Sequence, residues 1–474
     1  MRMHSGLDLR GTTRRHPVTA AACAVAGAVI AVAVAAVVVF QPFHRAPPDD
    51  CSAGELTVAG GTDVSLNSQR RSLIEDWNGG DRGARPKARL TEVSPLSDQQ
   101  HSQLKAVEES GSCAYDVLIL DGPWTAGFAA GGFLRPLDDI GSRPPDTKGF
   151  FPKGLAMGSY DHRQYALPFN LDVGLLYFRD KAKRPATPDA WPDDRYTAQL
   201  GDYEGLTVNA LEAVWNHGGA GLLTGTAGTG RAELRDRVQP ALEEVAKRMT
   251  RSGSPLLTSF QLGYQEQETI EAFARGGDDL AMRLWPYAYR NLANEPGLRD
   301  GGRLRFTVAA PPGDTVLGGQ TLAISRHSRH AADALALIEY LTGDEAQKRL
   351  YSCGGFVPAR ASVFGLPPEP PRGAAATGIR TCSQLLKDDP RTRNDPDNPA
   401  GEPDAMTPER LTTLADAIVS ALAGARPRPV TEHYDTFSTT FRGCARKIFS
   451  GEAVDAGRFA AAVEASLGGR AATC

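Results

Sequence analysis

Three times between residues 55 and 121 a short apolar run breaks at glycine, serine or aspartate and gives way to a stretch with helical spacing. No other feature limits the possible folds of this chain so sharply. Glu55 to Ala59 reads as a strand entering Gly60-Gly61-Thr62-Asp63, and the next helix carries Leu73, Ile74 and Trp77 before stopping at Asn78-Gly79-Gly80. A second strand is expected over Ala88 to Val93, followed by a helix opened by a capping box of Ser97 with Gln100 and bearing Leu104 and Val107. Tyr115 to Leu120 reads as a buried strand ending at Asp121, after which Gly122-Pro123-Trp124-Thr125 turns into another helix. Successive β-α-β units with short connections predict a parallel, doubly wound sheet of order 2-1-3, whose ligand crevice lies at the carboxyl ends of the strands. Asp63, Asp121 and Trp124 fall at those ends.

Further along, YALPFNLDVGLLYFRD (165–180) is extended, with Pro168 interrupting it and Gly174 to Phe178 as a buried strand. Tyr203 to His217 is expected to be helical, as is Glu266 to Ala274, and Leu280 to Trp285 reads as a strand that delivers Pro286-Tyr287 to its end. Strands follow at Leu304 to Ala309 and Gln320 to Ser325, then helices over Ala331 to Leu341 and Asp344 to Tyr351. Residues 366 to 405, rich in Pro, Gly and Asp, read as a surface excursion, and three helices around 408–423, 432–449 and 455–467 finish the chain.

The amino terminus sets the compartment. Val18 to Phe40 contains no charged residue, and as a helix it would be roughly 34 Å long, against about 30 Å of hydrocarbon core. Arg2, Arg10, Arg14 and Arg15 precede it, which by the positive-inside rule leaves the short tail in the cytoplasm and the rest outside. A cleaved signal peptide is the alternative. A single-pass membrane anchor is the expectation, with residues 41–50 as a stiff, proline-bearing stalk. Apart from Cys23, six cysteines remain, Cys51, Cys113, Cys353, Cys382, Cys444 and Cys474, an even number that suits an oxidising compartment. Cys51 and Cys113 immediately precede two strands that are neighbours in a 2-1-3 sheet, so a bridge between them is expected; Cys353–Cys382 and Cys444–Cys474 follow by proximity. No CxxC occurs, which speaks against zinc. With 52 Lys and Arg against 56 Asp and Glu, the chain has no field that would draw it to nucleic acid.

Taken in order, ELTVAGGTD, YDVLILDGPWTAGFAAGGFLRPLDD, YALPFNLDVGLLYFRD, DYEGLTVNALEAVWNHGG, FARGGDDLAMRLWPYAY, LGGQTLAIS and EYLTGDEAQKRL resemble the extracellular solute-binding proteins of carbohydrate ABC importers, the maltose/trehalose-binding group in particular. The resemblance runs over roughly residues 54 to 470. It implies a two-lobed, periplasmic-binding-protein-like α/β fold that closes on sugar at a hinge, with ABC permease subunits as partners, no cofactor and no catalysis. With the hinge strands placed near Tyr165–Asn170 and Ala309–Gly318, residues 1–50 form the tail, anchor and stalk. Residues 51–167 and 315–360 then build the first lobe, and 168–314 and 361–474 the second. A monomer is expected.

A sugar presents hydroxyls and flat patches of C–H, so a site for one needs carboxylates and amides together with aromatic faces. Asp63, Asp121, Asn170, Asp172 and Glu204 are the candidate hydroxyl partners. Trp124, Tyr203, Trp285 and Tyr287 are candidate platforms, Arg283 is placed to orient a carboxylate, and Gly319 and Gln320 complete the set. Asp121 has an alternative role as a helix cap, Tyr203 and Glu204 as solvated first-turn residues, and Trp285 as core. Similar proteins often have Trp at the position of Gln320, Glu at Gly127 and a polar residue at Leu171, departures that alter the cleft. No G-x-S-x-G or H-E-x-x-H occurs, and Ser102-Gln103-Leu104-Lys105 has no Lys-Thr-Gly partner. The expected function is capture of a sugar or oligosaccharide by a membrane-tethered extracytoplasmic receptor that hands it to a permease. The alternative is a tethered ligand-binding sensor or interaction protein that has left transport.

Overall fold

The computed structural model describes residues 54–65, 68–80, 83–141, 144–190, 195–226, 228–249, 254–388 and 405–474. The apolar segment Val18–Phe40 and the stalk lie outside them, and among the described residues no helix is long and apolar enough to cross a membrane. Besides two short hairpins, Ser159–Tyr160 with Arg163–Gln164 and Arg299–Asp300 with Arg303–Leu304, the strands are β1 (Glu55–Gly60), β2 (Lys87–Glu92), β3 (Val117–Asp121), β4 (Ala166–Val173), β5 (Leu175–Arg179), β6 (Tyr196–Thr197), β7 (Ala281–Leu284), β8 (Phe306–Ala309), β9 (Thr315–Ile324), β10 (Val357–Pro358) and β11 (Ala425–Pro427). The helices that matter below are α1 (Gln69–Gly79), α2 (Ser97–Glu109), α3 (Trp124–Ala130), α4 (Glu204–Ala213), α5 (Gln239–Met249), α6 (Glu266–Arg275), α7 (Tyr287–Asn294), α8 (Ala331–Leu341), α9 (Asp344–Ser352), α10 (Pro408–Gly424), α11 (Tyr434–Phe449) and α12 (Ala456–Leu467).

Two sheets organise the chain. The larger has the order β2-β1-β3-β9-β4-β10, with β11 pairing the first residues of β9. β2, β1 and β3 are parallel, as the β-α alternation requires, and β9 then runs antiparallel to both β3 and β4. Leu56, Val58, Val117, Ile119, Leu322 and Ile324 are buried along these strands, which fits their nearly unbroken apolar composition. The smaller sheet has the order β8-β5-β7-β6, and α6 and α7 flank its strand β7 in sequence.

The chain passes between the sheets at Gly174, between β4 and β5, and again over residues 310–314, between β8 and β9. The first passage lies beyond the Tyr165–Asn170 window that Pro168 suggests. Pro168 does not end β4, because the pairing with β9 slips by one residue beside it: Thr321 faces Pro168, whereas Gln320 faces Asn170. The skipped residue, Phe169, accepts from Gln347 Nε2 through its carbonyl at 2.7 Å, so its oxygen is satisfied outside the ladder. Nor does the chain leave the first lobe at residue 361. Ala361, Val363 and Phe364 are buried beside α9, which packs on β10 of the large sheet, α10 contacts strands of both sheets, and α11 and α12 then pack on α4 and α5 and the turn beside them. The expected capping box at Ser97 is also replaced: Leu96 takes the cap position without a side-chain bond.

Disulfides join Cys353 to Cys382 and Cys444 to Cys474. Cys113 is disulfide-bonded as well, while Cys51 lies outside the described residues. Closing a 30-residue loop at Cys444–Cys474 contributes about 3–4 kcal/mol in the chain-entropy view. Non-reducing peptide mapping is expected to recover both described links together with Cys51–Cys113. A Cys51 peptide found free, or joined elsewhere, would overturn the expected pairing at the amino ends of β1 and β3.

Candidate functional site

A cleft of about 270 Å³ opens where the carboxyl ends of β1 and β3 meet the start of α4, the start of α6 and the β7–α7 turn. Register places its first wall. Gln320 on β9 faces Asp121 on one side and Asn170 on the other, and Gly318 faces Asp172. Three strands therefore set carboxylate, amide and amide side by side at one end of the sheet. The opposite wall is Tyr203, Glu204, Gln265, Glu266, Trp285 and Tyr287, with Trp124, Phe356 and Gly61-Thr62 closing the ends.

Arg428 joins the two walls. Its Nη1 donates to Asp121 Oδ2 and to Glu204 Oε1, each at 2.8 Å, and its Nη2 donates to Asp121 Oδ1 at 2.5 Å. Tyr434 and Ser438 Oγ donate to the same Glu204 carboxylate, the latter at 2.6 Å. Asp121 is thus an ion-pair partner and not a helix cap, since Pro123 holds the cap position of α3. Burial alone would lower the guanidinium's pKa, yet Asp121, Tyr434 and Glu204 outweigh it and hold Arg428 well above its ordinary value. Burial likewise raises Glu204, against the opposing pull of Arg428.

Asp172 stands differently. Burial pushes its carboxyl up to about 8, helped by Asp121 and Glu266 and opposed by Arg283 and Arg70. Those two guanidinium groups are engaged elsewhere. Arg70 donates to Gln320 Oε1 and lies over the Phe356 ring at 5.0 Å, which fixes the Gln320 amide at the cleft rim. Arg283 is fully buried in an ion pair with Glu212, Nη2 to Oε1 at 2.7 Å and Nε to Oε2 at 3.2 Å, and its guanidinium lies 3.9 Å from the centroid of the Trp285 indole. Glu212 Oε1 also accepts from Thr315 Oγ1 at 2.7 Å and Val316 N at 3.0 Å, and Thr315 Oγ1 accepts from Gly174 N. The Glu212 carboxylate therefore ties together both passages between the sheets.

Two expected ligand contacts are corrected. Arg283 has no exposed surface and supports Trp285 from beneath. Asp63 is spent on its own loop, accepting from Ser65 N at 3.0 Å, Ser65 Oγ at 2.6 Å and Arg70 N at 2.8 Å. Trp124 lines the cleft with a small part of its surface, being 6% exposed and edge-on to His101. Trp285 and Tyr287 are half-buried and reach the cavity. Gly319 is there for the backbone: at φ +120° a Cβ would meet the Asn170 carbonyl at 2.3 Å. Leu171 is fully buried against Gly154, and a Cβ on Gly127 would meet the Glu432 carbonyl at 2.8 Å, so neither departure from the family pattern faces the cavity. Sequence reasoning missed Arg428, Glu212, Glu266, Phe356 and Gln100. Only Glu266 carried a signal, an acidic residue opening a helix.

A cleft between two α/β lobes, floored by strand ends and walled by aromatic rings and carboxylates, defines a two-lobed binding protein. Residues 89–377 match the model of the bacterial extracellular solute-binding protein family, and the chain belongs to that family of substrate-binding proteins. A probable ABC transporter-binding protein of Deinococcus radiodurans is 26% identical over 309 residues, 58% of this chain and 70% of that one. Maltose-bound MalE3 of T. maritima superposes with a TM-score of 0.63 at 20% identity, over 87% of this chain and 99% of that one. The GacH receptor of Streptomyces glaucescens gives 0.63 at 16% identity over 87% and 98%. UgpB of Mycobacterium tuberculosis, in complex with glycerophosphocholine, gives 0.60 at 16% identity over 88% and 97%. These likenesses establish the fold.

Two outcomes follow from the site's electrostatics. Arg428→Ala leaves Asp121 and Glu204 facing each other without a cation, and urea unfolding at pH 7 is expected to show a loss of about 3–5 kcal/mol; a loss below 1 kcal/mol would show that the three charges are not coupled. Asp172 takes up a proton on folding, because its folded pKa lies above its unfolded value near 4. Its stabilising contribution is complete below pH 4 and disappears as pH rises through about 8. The melting temperature of the ligand-free protein should therefore fall between pH 5 and 8, and the fall should be shallower in Asp172→Asn.

Proposed function

We propose that this chain is the extracytoplasmic receptor of an ABC importer, capturing a sugar in the cleft and presenting it to a permease, with Val18–Phe40 as its membrane tether. One observation carries the reading. Asp172, Asn170 and Gln320 stand in register at the strand ends opposite the half-buried faces of Trp285 and Tyr287. Hydroxyls take the polar groups and the C–H face of a pyranose takes the rings. The volume of about 270 Å³ falls just below the usual range for drug-sized ligands and suits one or two sugar rings better than a long oligosaccharide. MalE3 and GacH, whose structures were determined with maltose and with acarbose respectively, support sugar as the ligand class, and the Deinococcus protein supports the transport role.

The measurement is a thermal-shift screen of the purified protein against mono- and disaccharides, followed by calorimetry. A ligand at 100 times its Kd stabilises by about 2.7 kcal/mol. Trp285→Ala is expected to weaken binding by about 1–3 kcal/mol while the protein stays folded. If Trp285→Ala melts far below the parent while its folded fraction binds normally, the indole belongs to packing and the platform reading falls.

A further inference from the structure

Four carboxylates line the cleft, Asp121, Asp172, Glu204 and Glu266, and only one guanidinium, Arg428, faces them there. Arg428 is committed to Asp121 and Glu204. Among the described residues no cation lies within ion-pair distance of Asp172 or Glu266. The nearest, Arg283 and Arg70, are taken up by Glu212 and by Asp63 with Gln320. Burial keeps Asp172 largely protonated at pH 7 until a cation arrives; with all four carboxylates ionised the cleft would hold a formal excess of three negative charges.

Asn170 is an independent sign of the same shortage. This residue is 2% exposed and lines the cavity; its Nδ2 donates to the Leu171 carbonyl at 3.3 Å, while its Oδ1 is buried and accepts nothing. A buried acceptor left open costs about 1–3 kcal/mol unless something donates to it. Asp172 stands two residues along the same strand, beside Gly318, and a Cβ built on that glycine would touch Asp172 Cβ at 3.2 Å and the Trp285 ring at 3.6 Å. The glycine thus leaves Asp172 and the indole edge close together across one point of β9. Glu266 on the other wall is approached by the Tyr203 hydroxyl, the Trp285 side chain and its own backbone amide, all of which favour its ionised form against burial. The open acceptors, Asp172 and Asn170 Oδ1, thus adjoin one aromatic face, whereas Gln100 Nε2, Arg428 Nε and Tyr203 Oη, which have no geometric partner among the described residues, suit oxygens elsewhere on a ligand.

We infer that the ligand carries a protonated amine, received by Asp172 and Glu266 while its polyol ring rests on Trp285, so that the class recognised is an amino sugar or amino polyol and not a neutral sugar. This rests on the sugar-receptor reading and narrows it. An ammonium group has three donors and no acceptor, and in a site shielded from water its attraction to two carboxylates exceeds what a hydroxyl gains there. Beside a neutral sugar Asp172 keeps its proton at pH 7, whereas an ammonium group stabilises the carboxylate and drives that proton off.

The test compares D-glucosamine with D-glucose and N-acetyl-D-glucosamine by calorimetry on the purified full-length protein at pH 7, with the parent and Asp172→Asn. The expected result is that D-glucosamine binds the parent at least tenfold more tightly than either neutral sugar, and that the preference shrinks to within threefold in Asp172→Asn. Circular dichroism and melting of that variant confirm its fold. Neutral sugars binding as tightly as the amine, or a preference that survives in Asp172→Asn, would overturn the inference and leave the sugar-receptor reading in place. No binding by any of the three, nor by neutral or amino disaccharides, would remove both.

Discussion

Arg428 is a buried cation held by two carboxylates that reach it from distant parts of the chain, Asp121 from the end of β3 and Glu204 from the first residue of α4. Stripping water from three charges costs several kcal/mol per ion, and only close, multiply bonded geometry recovers it. Arg428 meets that condition with a two-point grip on Asp121 and a further bond to Glu204, whose other acceptor sites are filled by Tyr434 and Ser438. The arrangement fixes how the strand end and the helix end face each other. It also decides which carboxylates stay open to a ligand: Asp121 and Glu204 are largely satisfied within the protein, and Asp172 is not.

The rest of the first wall depends on register. In a sheet a one-residue slip turns every side chain to the opposite face, so the bulge beside Pro168 matters to the chemistry. Without it Asn170 and Asp172 would point away from the ends of β3 and β9. The same bulge hides Leu171 in the core, which explains why a position that is polar in similar proteins is tolerated as leucine here. Gly318 and Gly319 keep the backbone of β9 thin where it passes Asp172 and Asn170.

Much of this was legible in the sequence. The β-α alternation gave the parallel strands and their order, the apolar spacing gave the closing helices to within two residues, and the polar and aromatic residues at strand ends pointed to the cleft. What escaped was long-range pairing. Arg428 sits in a proline-flanked stretch between two helices, where arginine ordinarily meets solvent, and nothing local reveals carboxylates 307 and 224 positions away. Arg283 shares a face with Trp285 two residues on, but it lies beneath the indole in the interior, paired with Glu212, which had no sequence signature of its own. Asp63 was misread for the opposite reason. Its partners are its own neighbours, and a carboxylate that ties down a loop looks, residue by residue, like one that offers itself to a ligand.

Glu212 reaches beyond its ion pair. Through Thr315 it holds the amide of Gly174, so one carboxylate is bonded to both strands that cross between the lobes and, through Arg283, to the underside of the Trp285 indole. The Trp285 ring is in this way joined, through one guanidinium and one carboxylate, to both segments that link the lobes.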